Sequence, residues 1–342
     1  MDYGLPRPMI GGLSPGCEGD AVGTSGQLGQ GPVIDVVVHP VQPQGIRGTL
    51  EVIDGIRLLA PADDDGVEDA LRDGAPVLVT VVWHARFAHP SLRWVASVSA
   101  GFDQYPLERF AADGVTLTTA QGVNAVPMAE HAIGLLLACT RRIGQSARAS
   151  TERAWIRRPS RFELQGSTVL ILGLGTVGEQ VARLAAAFGM HVIGIKRDPS
   201  SYRGEVTDVR GPEQLLATCA EADVLISVLP GGDETHLLID ADVLDALGRG
   251  FLISLGRGSV VDEAVLVEAL ETRRLRGAGL DVFATEPLPE DSPLWDIPTA
   301  VLTPHIGGTS PNYGRRFGDI FRLNLAAYRG EGDWVNRQVP TR

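Results

Sequence analysis

The chain has 342 residues, 44% of them apolar, and a formal net charge of −12 at pH 7. That length exceeds one typical domain and suits two, each burying its own core. The negative balance excludes nucleic acid as an expected partner, because phosphate backbones are held by clustered Lys and Arg, and Lys196 is the single lysine.

Residues 1–31 are rich in Gly, Pro and Ser and are expected to form a flexible extension. Strands are predicted over Val33–Val38, Val77–Val82, Trp94–Ser99 and Val115–Thr118, with a helix over Gly66–Asp73. Pro127–Arg142 reads as one long apolar helix, its terminal arginines complementing the helix dipole. Further strands fall at Val169–Leu172, His191–Ile195, Val224–Val228, Phe251–Ser254, Gly279–Val282 and Ala300–Thr303. Helices are expected between them over Glu179–Phe188, Pro212–Ala220, Ala241–Leu247 and Glu263–Glu271. Such alternation predicts α/β architecture with parallel sheets. A last helix, Tyr313–Tyr328, is expected to cross back to the first domain. The resulting division is 32–121 with 309–342, and 122–308. Cys17, Cys139 and Cys219 are odd in number and widely spaced, so neither a zinc site nor a disulfide framework is expected. No apolar run has the length of a membrane span, and the N-terminus lacks a signal-peptide pattern. The expectation is reduced thiols in a cytoplasmic protein, with no metal and no membrane partner.

The segment Val169 to Gly178 reads as a buried strand, a glycine turn and a helix start. Gly173 permits the turn, Gly175 lets backbone amides approach a pyrophosphate, and Gly178 lets the helix lie close on the strand. The amides at Thr176 and Val177 then face a dianion together with the positive end of the helix dipole. Three later stretches carry charged groups at strand ends, where open α/β sheets place their ligands. Arg257, in Leu255-Gly256-Arg257-Gly258, can hold a carboxylate through two parallel hydrogen bonds. The bland alternative is a surface arginine in a turn. Asp281 lies within a predicted strand and needs a partner, since an unpaired buried charge is costly; Glu286 lies beyond it. His305, in Thr303-Pro304-His305-Ile306-Gly307-Gly308, is a candidate acid/base once a carboxylate stands beside it.

These four stretches, in this order, resemble the D-isomer-specific 2-hydroxyacid dehydrogenases from about residue 77 to the end. The resemblance implies two Rossmann-like domains with doubly wound parallel sheets: a flavodoxin-like substrate domain and an NAD(P)-binding domain. It also implies reversible reduction of a small 2-oxo acid to a D-2-hydroxy acid by a homodimer built on the Pro127–Arg142 region. The family's catalytic Arg, Glu and His fall on Arg257, Glu286 and His305. Ser99, Ala100 and Gly101 match the loop that binds the substrate carboxylate. Leu229, Pro230 and Thr235 match the adenosine side. Ser254 and Asp281 match the nicotinamide side, with Ser254 replacing a frequent Asn, and Leu255, His305 and Gly307 are further cofactor-binding positions. His131 is expected to be structural. Trp83 and His84 either shape the pocket for the substrate's variable group or pack at a strand end.

The second strand of the nucleotide unit ends in Lys196-Arg197-Asp198. An acid there selects NAD, whereas a cation accommodates a 2′-phosphate. The Lys196–Arg197 pair therefore favours NADP(H), with NAD(H) through Asp198 as the alternative. Glyoxylate or hydroxypyruvate reductase is the leading function. Phosphoglycerate-, phosphite- or formate-type dehydrogenases and a cofactor-sensing corepressor-like binding protein are the alternatives.

Overall fold

The computed structural model describes residues 32–102, 104–155, 157 and 162–340. The expected extension over residues 1–31 lies outside the described residues. Two parallel sheets organise the chain. The first half runs β1 (Ile34–Val38), α1 (Ile46–Leu50), β2 (Ile56–Leu59), α2 (Asp64–Arg72), β3 (Val77–Thr80), β4 (Trp94–Ser97), α3 (Leu107–Asp113), β5 (Thr116–Thr118), α4 (Ala125–Thr140) and α5 (Ile143–Thr151). The second half runs β6 (Thr168–Leu172), α6 (Thr176–Ala187), β7 (His191–Ile195), β8 (Asp208–Arg210), α7 (Leu215–Cys219), β9 (Val224–Ser227), α8 (Ala241–Leu247), β10 (Phe251–Ser254), α9 (Glu263–Glu271), β11 (Gly277–Leu280), β12 (Ala300–Leu302), α10 (Tyr313–Tyr328) and β13 (Arg337–Gln338).

The first sheet has the order β13-β5-β4-β3-β1-β2, and β13 is its antiparallel member. The second has the order β12-β11-β10-β9-β6-β7-β8, with every pairing parallel. Its strand order reverses between β6 and β9, the switch point at which doubly wound sheets open a crevice. Apolar layers cover both faces of both sheets. Val169, Leu170, Ile171 and Leu172 are fully buried. Each such side chain contributes about 1.5–3 kcal/mol of burial free energy, which fixes β6 centrally in its sheet. Helix α10 returns to the first sheet: Phe317, Phe321 and Leu325 pack into that core, and Trp94 stacks on Phe321 with ring centroids 4.7 Å apart.

Several predicted boundaries move for local reasons. The strand expected to reach Val82 ends at Thr80, whose hydroxyl donates to Val82 O (2.6 Å) and accepts the Val82 N–H (2.9 Å). This side-chain turn replaces the next ladder rung. Ser97 ends β4 similarly by accepting the Ser99 N–H (3.2 Å). The helix expected over Pro127–Arg142 is α4, which ends at Thr140, and a further helix that the sequence reading did not include, α5, starts at Ile143 after Arg142 adopts the left-handed region (φ 59°). Asp281 is a correction: the strand ends at Leu280, so the carboxylate stands just past it.

Candidate active site

Glycines shape the cofactor side. Gly173 sits at φ 100°, a turn conformation open to glycine. A Cβ on Gly178 would stand 2.1 Å from Gly173 O, so α6 lies directly against the turn. A Cβ on Gly175 would meet nothing within 4 Å. Gly175 is the N-cap of α6 and supplies no side-chain cap. The first helical bond runs from Glu179 N–H to Gly175 O (2.9 Å), so the amides of Thr176, Val177 and Gly178 precede it and lack intrahelical acceptors. Open space at an uncapped helix start fits a pyrophosphate.

Beside the turn, Lys196 Nζ donates to Leu174 O (3.3 Å). Arg197 Nη2 pairs with Glu234 Oε2 at 2.7 Å. Asp198 is spent on its own turn, accepting Ser200 N–H (3.0 Å) and Ser200 Oγ (2.6 Å) through one oxygen. Those hydrogen bonds hold its carboxyl below the ordinary aspartate range. Leu229 packs on the glycine turn, and Thr235 Oγ1 donates to Pro230 O (2.8 Å). The Ser254 hydroxyl is buried and without a hydrogen-bond partner among the described residues.

Strands β10, β11 and β12 are neighbours in register, Ser254 with Leu280 and Leu280 with Leu302. Arg257, Glu286 and His305 therefore leave one edge of the sheet. Arg257 is flanked by glycines for steric reasons. A Cβ on Gly256 would stand 2.1 Å from Leu229 O, and one on Gly258 would stand 1.9 Å from Phe283 O. The arginine segment is thus wedged between the loops after β9 and β11. Its Nη1 donates to Gly256 O (3.0 Å), and Nη2 lies 3.8 Å from where a Cβ on Gly101 would be. This brings the second sheet's arginine to the Ser99–Gly101 loop of the first. Ser99 tightens that loop by donating Oγ–H to Gly101 O (2.6 Å); Asp103 lies outside the described residues.

Glu286 Oε1 accepts the Phe283 N–H (3.0 Å), and Oε2 lies 2.7 Å from His305 Nδ1. Partial burial pushes the Glu286 carboxyl up, but hydrogen bonds from His305 and the Phe283 amide outweigh it and hold the group below the ordinary glutamate range. Glu263 steadies the same loop by accepting the Ala284 N–H (2.5 Å). His305 adopts φ 53°, a left-handed conformation costly for a side chain of this size.

Asp281 holds the histidine in that conformation. Its carboxylate is 2% exposed and accepts Ile306 N–H (3.0 Å), Gly307 N–H (2.8 Å) and Thr303 Oγ1 (2.6 Å). His131 Nε2 lies 2.8 Å from Thr303 Oγ1 and 3.3 Å from Asp281 Oδ1. The resemblance implies that Asp281 meets the nicotinamide; its carboxylate is bonded to the His305 loop, at the end of the strand where that ring is expected. Gly307 is tight in the same cluster, since a Cβ there would lie 2.8 Å from Asp281 Oδ2 and 3.3 Å from Leu255 Cδ2. Sequence reading missed Thr303, Glu263 and Glu234. The acid closing the Gly-Arg-Gly stretch was the available signal for Glu263.

Trp83 packs beside the end of β3, and His84 is half-exposed on an ion pair. Trp83 meets Phe110 edge-on at 4.7 Å and joins the core under α2 and α3. His84 Nε2 pairs with Asp64 (3.1 Å), which also binds buried His39 (2.9 Å). Burial pushes the thiols of Cys139 and Cys219 up to about 12, which leaves them unreactive. Among the described residues, no cluster of His, Cys, Asp or Glu is arranged to hold a metal. No helix of the described residues is long and apolar enough to cross a membrane.

Residues 133–307 match the profile of the D-isomer specific 2-hydroxyacid dehydrogenase NAD-binding domain. The chain belongs to this family. It is 36% identical over 270 residues to a D-3-phosphoglycerate dehydrogenase of Mycobacterium leprae, covering 74% of this chain and 50% of that protein. The chain therefore spans about half the length of the phosphoglycerate dehydrogenases it matches. It is 33% identical to a glyoxylate reductase of Korarchaeum cryptofilum, covering 74% of this chain and 78% of that one. In structure it is similar to an NADPH-dependent glyoxylate/hydroxypyruvate reductase of Sinorhizobium meliloti in complex with NADP and malonate. That match has a TM-score of 0.71 at 32% identity and covers 89% of this chain and 96% of that one.

Proposed function

We propose that this member of the family reduces small 2-oxo acids to D-2-hydroxy acids, with NADP(H) as the preferred cofactor. The single observation that carries the reading is the His305–Glu286 pair at 2.7 Å, on the sheet edge from which Arg257 reaches the Ser99–Gly101 loop. The glycine turn and the amides of Thr176, Val177 and Gly178 hold the pyrophosphate. Leu229, Pro230 and Thr235 line the adenosine side, and Ser254, Leu255 and Gly307 the nicotinamide side. When bound, the nicotinamide supplies the hydride. Arg257 and the amides near Ser99, Ala100 and Gly101 hold the substrate carboxylate, so its carbonyl carbon is fixed in place. As the carbonyl oxygen gains negative charge, His305 delivers a proton from Nε2 while Glu286 fixes the ring through Nδ1. Acid catalysis of this kind is worth about 10²–10⁴-fold. Asp281 and His131 act through His305, as positioning residues.

Lys196 and Arg197 at the end of β7, with Asp198 committed to its turn, support NADP(H) over NAD(H). The similar S. meliloti reductase is itself NADPH-dependent. We place a homodimer contact on α4 and the segment after it, where the exposed Trp155 (96%) offers an aromatic anchor for a partner surface. Free buried thiols support a cytoplasmic site of action.

Replacing His305 with Ala tests the assignment. Turnover of glyoxylate, hydroxypyruvate and pyruvate should fall by about 10²–10⁴-fold, with NADPH binding retained. Turnover near the unmutated level removes His305 from its role.

A further inference from the structure

Arg197 and Glu234 form a bridge over the glycine turn. Arg197 follows β7 by two residues, and Glu234 lies on the loop after β9. In the sheet order β9-β6-β7 these strands flank β6, so the 2.7 Å ion pair spans the end of the strand that carries the turn. Both side chains are exposed, at 80% and 74%, so burial does not force them together. The neighbouring charges are already engaged, Lys196 with Leu174 O and Asp198 with Ser200. The Glu234 loop is held at this edge by Thr235, whose N–H donates to Gly232 O (3.0 Å) and whose hydroxyl donates to Pro230 O.

We propose that Glu234 is a built-in counter-ion that occupies Arg197 in place of a cofactor's 2′-phosphate, and so sets how strongly the chain prefers NADPH. The inference rests on the NADP(H) reading. A phosphate dianion outcompetes a carboxylate for a guanidinium, since it carries more charge and more acceptor oxygens. The 2′-hydroxyl of NADH carries no charge with which to displace Glu234. The glutamate therefore weakens NADPH binding and leaves NADH binding alone. Exposed ion pairs are worth little, so the effect is bounded at about twofold to fivefold.

Cofactor fluorescence gives dissociation constants without turnover. Glu234→Gln should tighten NADPH by about twofold to fivefold at low salt, with NADH unchanged. Adding Glu234→Gln to Arg197→Gln should change nothing. An unaltered NADPH constant in Glu234→Gln, or an equal shift for both cofactors, overturns the counter-ion. If Arg197→Gln leaves NADPH binding unchanged, the cofactor reading itself fails. Loss of NADPH affinity in Arg197→Gln beside an inert Glu234→Gln sinks the counter-ion alone.

Discussion

His305 stands at φ 53° with one ring nitrogen on Glu286 and its following amides on Asp281. Two carboxylates thus divide the work: one fixes the ring and the other the backbone. Glu286, held below the ordinary glutamate range, keeps its charge as pH falls until its own lowered value is reached. Its pairing therefore contributes fully above the ordinary glutamate pKa and is lost only on acidification through the lowered one. Glu286→Gln should lower kcat/KM for glyoxylate reduction by about 10- to 100-fold and remove the acid limb of the pH profile that protonation of Glu286 produces. A pH profile superimposable on that of the unmutated protein contradicts this role. The three chemical residues are legible as types in sequence, since each follows an apolar strand. The Asp281 cluster is not, because its partners Thr303 and His131 come from separate elements and meet only in three dimensions.

At the scale of elements, β6 and α6 were readable because a run of buried apolar residues precedes a glycine turn. Less legible were α1, β2, α3, β8 and β13: each has seven residues or fewer, too short for a periodic signal. The end of α4 was readable to within two residues, whereas α5, whose apolar positions are few, was not. Within the glycine turn, two glycines serve different ends, and alanine separates them. Gly178→Ala places a methyl 2.1 Å from Gly173 O and should cost about 1–3 kcal/mol of stability. Gly175→Ala meets no protein atom within 4 Å and should leave the thermal midpoint of the protein alone unchanged. Both should shrink the rise in midpoint produced by NADPH, Gly175→Ala by putting a methyl where backbone must approach pyrophosphate and Gly178→Ala by pushing the helix start away from the turn. Thermal unfolding with and without NADPH checks both. A full NADPH-induced rise in Gly175→Ala would mean that the open space beside Gly175 is not the anion cradle.

Over the whole molecule, the chain crosses between the two sheets beside Gly122 and again beside Gly308. The crossings touch: a Cβ on Gly308 would lie 3.1 Å from Asn124 Nδ2, and one on Gly122 would lie 3.4 Å from Thr176 Cγ2. Two adjacent crossings define one axis, and rotation of the lobes about it would leave each core intact. Arg257 belongs to one lobe and the Ser99–Gly101 loop to the other, so on the proposed function rotation about that axis would set the grip on a substrate carboxylate. Gly122 sits at φ 93°, where an L side chain costs about 1–2 kcal/mol. Gly122→Ala should therefore shift the resting angle of the lobes. The kcat and KM for the 2-oxo acid should worsen together, by about tenfold in kcat/KM, with the dissociation constant for NADPH within about twofold. Small-angle scattering reads the cause: NADPH with a dicarboxylate inhibitor should compact the unmutated protein more than the variant. Equal compaction, with kinetics to match, would place the pivot away from Gly122.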